Sequence, residues 1–151
     1  MTLGDIVVGV DGSGHGRRAL AWAVEEAALR GSRCIAVYAW DYAEATTDSY
    51  VSPAAQDEAT TTARALLSAE VGGVGVPRRG DVQIEERIEP GPAARVLVAA
   101  SQVASLLVVG SHGRGGVASA LLGSVSLDCV HHAACPVVVV PPQDRAGHDR
   151  E

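Results

Sequence analysis

Two rhythms of apolar residues alternate along this chain. Short unbroken apolar runs end in glycine or proline, and longer stretches repeat their apolar residues every three or four positions. The first run, "DIVVGV" (Asp5–Val10), reads as a buried parallel strand that stops at "DGSG". Ser13 is placed to cap the next stretch, "RRALAWAVEEAALRG", where Ala19, Leu20, Ala23, Val24 and Ala27 recur at helical spacing and Gly31 ends the run. "CIAVYAW" (Cys34–Trp40) is a second strand, and residues 41–52 carry no period and read as a loop.

The second half repeats the scheme. A helix starts at Pro53 and stops before Gly72 and Gly73, although three threonines weaken its propensity. "VQIEERI" (Val82–Ile88) alternates apolar and polar residues, as a strand near a sheet edge does. "GPAARVLVAASQ" gives a short helix after Pro92, and "SLLVVG" a buried strand. A helix through Ser126–Ala133 and a last strand, "CPVVVV" (Cys135–Val140), follow. Residues 142–151 form a polar tail. Regular β-α alternation predicts one parallel sheet with helices on both faces, in a single domain. Ligands of such sheets bind beyond the carboxyl ends of the strands, where the strand order reverses. Two glycine-rich loops should meet there: "DGSGHG" after the first strand and "GSHGRGG" after the fourth.

Composition sharpens this picture. The 151 residues are 47% hydrophobic and contain no Phe, so Val, Ala and Leu must fill the core and the layers must lie close. A net charge of −6 argues against non-specific nucleic-acid binding, which needs a basic face. An odd set of three cysteines, with no signal peptide or membrane-length apolar run, predicts a cytoplasmic protein with reduced thiols.

Glycines directly after a buried strand let backbone approach a ligand, and a helix start beyond them offers free N–H groups and a positive dipole end. Both suit phosphate. All twelve basic residues are Arg, so a P-loop, which needs Lys, is excluded, and a phosphorelay receiver is disfavoured on the same ground. "GSGHG" misplaces the third glycine of a dinucleotide fingerprint, although Asp41 ends the second strand where an acidic ribose ligand would sit. In "CVHHAAC" (Cys129–Cys135) the spacing fits no usual zinc pattern, and Pro136 ends the helix that would align the ligands. The histidines suit a helix C-terminus instead. Ser124 and Ser126 form no nucleophile–base–orienter set with these histidines, and Asp128 more simply faces solvent.

The spacing Gly110-x2-Gly113-x9-Gly123-Ser124 resembles the ATP-binding signature of the universal stress protein family. "VVGVDGS" near the start and "SVSLDCVHHAACPVVVV" near the end resemble that family too. The resemblance implies a family domain over residues 1–141. Its architecture would be a three-layer α/β/α sandwich, adenine nucleotide alpha-hydrolase-like, with five parallel strands in the order 3-2-1-4-5. It also implies the site. Asp11 would lie near ribose, with Val10 and the backbone of Ala39 near adenine. Gly110 and Gly113 would let the loop wrap the phosphates. Gly123 and the N–H groups of Ser124 and Val125 would point at them, and the hydroxyls of Ser124 and Ser126 would donate to them. Arg114 would screen their charge, and His112 either touches phosphate or occupies a turn.

Simpler readings stand beside these. Asp11 suits any turn, Val10 and Ala39 suit any core, and Ser124 suits a helix N-cap. Gly115 and Gly116 sit in the spacer where bulkier polar residues are common, which raises the ordering cost of the loop. ATP brings about four negative charges to an acidic protein, so Mg2+ held mainly by phosphate oxygens and water should accompany it. The apolar edge Val137–Val140 would be an aggregation hazard if left bare, and the family resemblance implies that it pairs with the same strand of a second copy in a homodimer. The functional expectation is an ATP-binding module of a stress response, with no membrane or nucleic-acid partner and no catalysis of its own. The alternatives are a slow ATPase using the same pocket, or an interaction module that binds no nucleotide.

Overall fold

The computed structural model describes residues 4–41, 51–75, 80–113 and 122–142. Strand β1 (Ile6–Gly9) leads into helix α1 (Gly14–Arg30), then β2 (Cys34–Trp40) and α2 (Pro53–Gly72). β3 (Ile84–Pro90), α3 (Ala93–Ser101), β4 (Leu106–Gly110), α4 (Ser124–His132) and β5 (Val137–Val140) complete the order. The five strands form one sheet in the order β3-β2-β1-β4-β5, and every pairing is parallel. The alternation read from the sequence therefore gives the expected three-layer sandwich.

Period-two alternation splits the core into two halves. Ile6, Val8 and Val10 face α1 and α2, together with Cys34, Ala36, Leu106 and Val108. Val7, Ile35, Val37, Leu107 and Val109 face the other way, against Leu97 of α3 and Cys129 of α4. With no Phe to fill gaps, close approach supplies the packing. Ala19, Ala23 and Ala27 put the α1 backbone near the sheet, each with no exposed surface. Opposite them, a Cβ on Gly9 would come within 2.9 Å of Leu97 Cδ1.

The caps of α1 are those the sequence predicts. Ser13 Oγ accepts from Gly16 N at 3.0 Å, and Gly31 closes the helix at φ 65° with its N–H on Ala27 O. Other boundaries shift. Gly72 is helical and Gly73 is the cap, while α4 starts two residues before Ser126. β3 begins at Ile84 and runs through Pro90, because its ends are set by pairing residue for residue with Cys34–Trp40. Pro90 is tolerated because β3 is an edge strand that needs no second ladder. At the other edge, β5 begins at Val137, and Val137–Val139 are only half-buried. Among the described residues no helix is long and apolar enough to cross a membrane.

Candidate nucleotide site

β1 is flanked by β2 on one side and β4 on the other, so the strand order reverses at the β1/β4 pair. The loops leaving these two strands converge there. Val10 is buried and its N–H donates to Val37 O at 2.9 Å, which carries the β1 ladder one residue past the strand. Asp11 then turns the chain. Its Oδ1 accepts from Ser13 N at 2.9 Å and from Ser13 Oγ at 2.5 Å, and Gly12 takes φ 80°. The carboxylate is wedged between two glycines, one in the first turn of α1 and one in the loop after β4. A Cβ on Gly16 would lie 2.6 Å from Asp11 Oδ1, and one on Gly113 would lie 2.8 Å from Asp11 Oδ2.

Gly110 has a different neighbour. A Cβ there would sit 2.9 Å from the carbonyl carbon, the carbonyl oxygen and the Cβ of His15, so the first turn of α1 rests on the end of β4. Ser111 is the hinge of the second loop. Its N–H donates to Val140 O at 3.0 Å. Its carbonyl accepts from Gly123 N at 2.6 Å and from Ser126 Oγ at 3.0 Å. These bonds bring the start of α4 against the end of β4 across the intervening loop.

Gly123 is the N-cap of α4, and with no side chain it cannot satisfy the N–H groups of the first turn. Ser124 and Val125 are the first two helical residues, Ser124 exposed and Val125 half-buried. Their N–H groups have no carbonyl four residues back within the helix, and the positive end of its dipole lies there. A Cβ on Gly123 would be 3.3 Å from His112 Cα and 3.7 Å from Gly113 N, which places this helix start beside the glycine that faces Asp11. The helix start and the Asp11 carboxylate are thus close together, and a helix start of this kind suits an anion.

Two expected roles change. Ser126, expected to donate to phosphate, is 2% exposed and gives its hydroxyl to Ser111 O and, at 2.9 Å, to Gly123 O. Gly123, expected to point at the phosphates, has its N–H on Ser111 O. Both hold the site together from beneath. Ser124 is not the N-cap, since the cap is Gly123. Ala39 lies half-buried near the end of β2, opposite Glu89, and the next residue, Trp40, accepts from Gly91 N at 2.8 Å. Arg114, Gly115 and Gly116 lie outside the described residues.

Several residues escape the sequence reading. Gly16 and His15 lie in the first turn of α1; Gly16 packs locally on Asp11, while the contact of His15 with Gly110 is visible only once the two loops meet. The available signal is a histidine flanked by small residues in each loop, "GHG" and "SHG". The "CVHHAAC" stretch is taken apart by the fold. Cys129 is buried in the core, His131 and His132 end α4, and Cys135 lies beyond the helix. Burial pushes the Cys129 thiol up to about 11, with Asp128 adding to the shift, and the Cys34 thiol up to about 12. Neither is a thiolate at neutral pH. Among the described residues no group of three or more His, Cys, Asp or Glu side chains could hold a metal ion.

The universal stress protein family model matches residues 3–141. A universal stress protein of Mycobacterium tuberculosis is 40% identical over 134 residues, covering 89% of this chain and 44% of its own length. The chain spans about half the length of the curated relatives it matches. Among solved structures, a universal stress protein in complex with cAMP is 26% identical with a TM-score of 0.67, covering 93% of this chain and 98% of its own. The universal stress protein from Archaeoglobus fulgidus in complex with dAMP is also 26% identical, with a TM-score of 0.61 and coverage of 93% and 99%.

Proposed function

The chain belongs to the universal stress protein family, and from that premise we propose that it binds an adenine nucleotide, ATP with Mg2+, as a sensing module in a stress response. The observation that carries this reading is the Asp11 carboxylate held between Gly16 and Gly113, beside a helix start capped by glycine alone. The related proteins solved with cAMP and dAMP support an adenine nucleotide as the ligand class.

Asp11 orients the ribose, with Val10 and the Ala39 backbone against adenine. The N–H groups of Ser124 and Val125 hold phosphate oxygens, and the exposed Ser124 hydroxyl adds a donor. Gly113 leaves room for the ligand beside Asp11, Gly110 and Gly123 set the backbone, and Arg114 screens charge from the adjoining loop. Asp11 Oδ1 already accepts two hydrogen bonds, so Mg2+ is carried by phosphate and water rather than by this oxygen. The same commitment makes Asp11 a poor base for hydrolytic water, which favours holding nucleotide over turning it over. The half-buried valines of β5 support a homodimer through Val137–Val140, and a monomer by sedimentation at micromolar concentration would contradict it.

The test is calorimetric titration of MgATP into the wild type, Gly113→Ala and Ser124→Ala. Gly113→Ala should weaken binding about tenfold or more, because the methyl takes space needed by Asp11 and ligand; one lost charge-assisted hydrogen bond in Ser124→Ala should cost several-fold. Unchanged affinity in both variants would refute the cradle. Chromatography of the nucleotide after incubation then separates a holder of ATP from a slow ATPase.

A further inference from the structure

Two histidines meet where the glycine loops converge. His15 lies in the first turn of α1, and His112 follows β4 by two residues. Their ring centroids are 5.5 Å apart, with the planes tilted by 55°. The close packing of His15 on Gly110 sets the α1 start against the end of β4, which brings the two rings near each other. His15 Nδ1 is buried and has no hydrogen-bond partner among the described residues. His112 Nδ1 lies 3.1 Å from Ser111 Oγ, on the residue that ties the start of α4 to this loop. A buried polar nitrogen without a partner is unfavourable, and in a ligand site it marks a place for a ligand group or a proton.

We propose that His15 and His112 act as a proton-dependent pair that recognises polyphosphate, so that nucleotide binds more tightly as pH falls through the histidine range. The proposal rests on the nucleotide reading of the same site. The chain has no Lys, and the permanent charges around the pair are few. α1 brings Arg17 and Arg18, and Arg17 is engaged by Gly12 O at 3.0 Å and by Glu70 at 3.6 Å. The β1 loop brings the Asp11 carboxylate, whose sign opposes phosphate. β4 and β5 bring no charged residue, the first titratable group of α4 is Asp128, and Arg114 lies outside the described residues. When protonated, the pair would place positive charge at the joint of the two loops. Unlike that of Arg, this charge is present only when protons are available. If the protonated pair holds the anion more strongly, binding takes up protons. Affinity is then highest below the histidine range and is lost as pH rises through it.

The test is calorimetric titration of MgATP and of adenosine at about pH 5.5 and about pH 8, either side of the histidine range. The proteins are the wild type, His15→Gln, His112→Gln and the double variant. Wild-type ATP affinity should be about tenfold higher at the lower pH, the ratio given by a one-unit change in a linked pKa. The double variant should keep only the dependence of ATP itself, whose terminal phosphate titrates near pH 6. Adenosine, which has no phosphate, should change less than about twofold in either protein. As a ligand-free readout, the NMR resonances of the His112 ring should shift when His15 becomes Gln, because the two rings are neighbours. Should His15→Gln disturb the α1 start, as circular dichroism would reveal, His112→Gln decides alone. Equal pH dependence in the wild type and in the variants overturns the histidine pair and leaves nucleotide binding standing. Absence of both ATP and adenosine binding at either pH overturns the nucleotide reading and the proposal with it.

Discussion

Replacing Gly110 with Ala tests the packing on which the site depends. The new Cβ would meet the carbonyl carbon, the carbonyl oxygen and the Cβ of His15, all at 2.9 Å. Two of these atoms are backbone, so no rotamer change relieves the contact. Ordinary van der Waals contact begins at 3.4 Å, and the first turn of α1 would have to withdraw by about half an ångström. That helix seats Ala19, Leu20, Ala23, Val24 and Ala27 on the sheet, none more than 1% exposed, so a rigid shift loosens the whole face. Overpacking of this kind costs about 1–3 kcal/mol. In a domain of this size each kcal/mol lowers Tm by about 2–4 °C, so a fall of about 2–12 °C is expected. Thermal unfolding followed by far-UV circular dichroism, without ligand, measures it. Gly123→Ala is the milder comparison: its nearest contacts, His112 Cα and Ser111 O, lie at 3.3 Å, so they need give only a few tenths of an ångström. A Gly110→Ala protein melting within about 1 °C of wild type would mean that α1 does not rest on β4 as described.

Ser126→Ala removes a buried hydroxyl that bridges Ser111 O and Gly123 O, and should destabilise the fold by about 1–2 kcal/mol in urea unfolding. An unchanged urea midpoint would show that the bridge does not hold the start of α4. In the native protein near neutral pH, a thiol reagent should label Cys135 first, with Cys34 and Cys129 reacting only on unfolding; prompt labelling of all three would contradict the buried positions. The same two thiols keep their protons in the fold up to about 12 and about 11, against an ordinary value of 9.0. The stability they confer is therefore complete below the unfolded value and is lost as pH rises toward the folded ones, so urea midpoints should decline above about pH 9. A midpoint flat to about pH 11 would contradict that burial.

The fold was legible because the strongest local signals and the global topology agree. The β1 run is apolar on both faces because both faces are covered, and Ser13 and Gly31 mark the ends of α1 by the physics of capping. Element ends were less legible where local signals are neutral. Val82–Ile88 and Ile84–Pro90 share one alternation, and only the β2 partner decides which residues join the ladder. Gly72 belongs to α2 because continued helical bonding there outweighs a propensity cost of about 1 kcal/mol.

The site was legible for a less direct reason. The three glycines at Gly110, Gly113 and Gly123 read as a wrap around phosphate, yet each answers a different demand of packing. Gly110 admits the α1 backbone, Gly113 admits the Asp11 carboxylate, and Gly123 spends its N–H on Ser111 while leaving α4 without a side-chain cap. Among the described residues of this stretch, Ser124 and Val125 offer N–H groups with no carbonyl four residues back within the helix. The spacing therefore encodes the convergence of two loops, and the convergence makes the site. This explains why His15 escapes a sequence reading: its partner, Gly110, lies about a hundred residues away, beyond the reach of any local pattern. It also separates the glycines by experiment. Gly113→Ala presses on the end of a side chain, so it should lose nucleotide with little change in Tm. Gly110→Ala presses on backbone, so it should lose both. If both variants lost affinity at unchanged Tm, the wrap would describe the stretch better than the packing does.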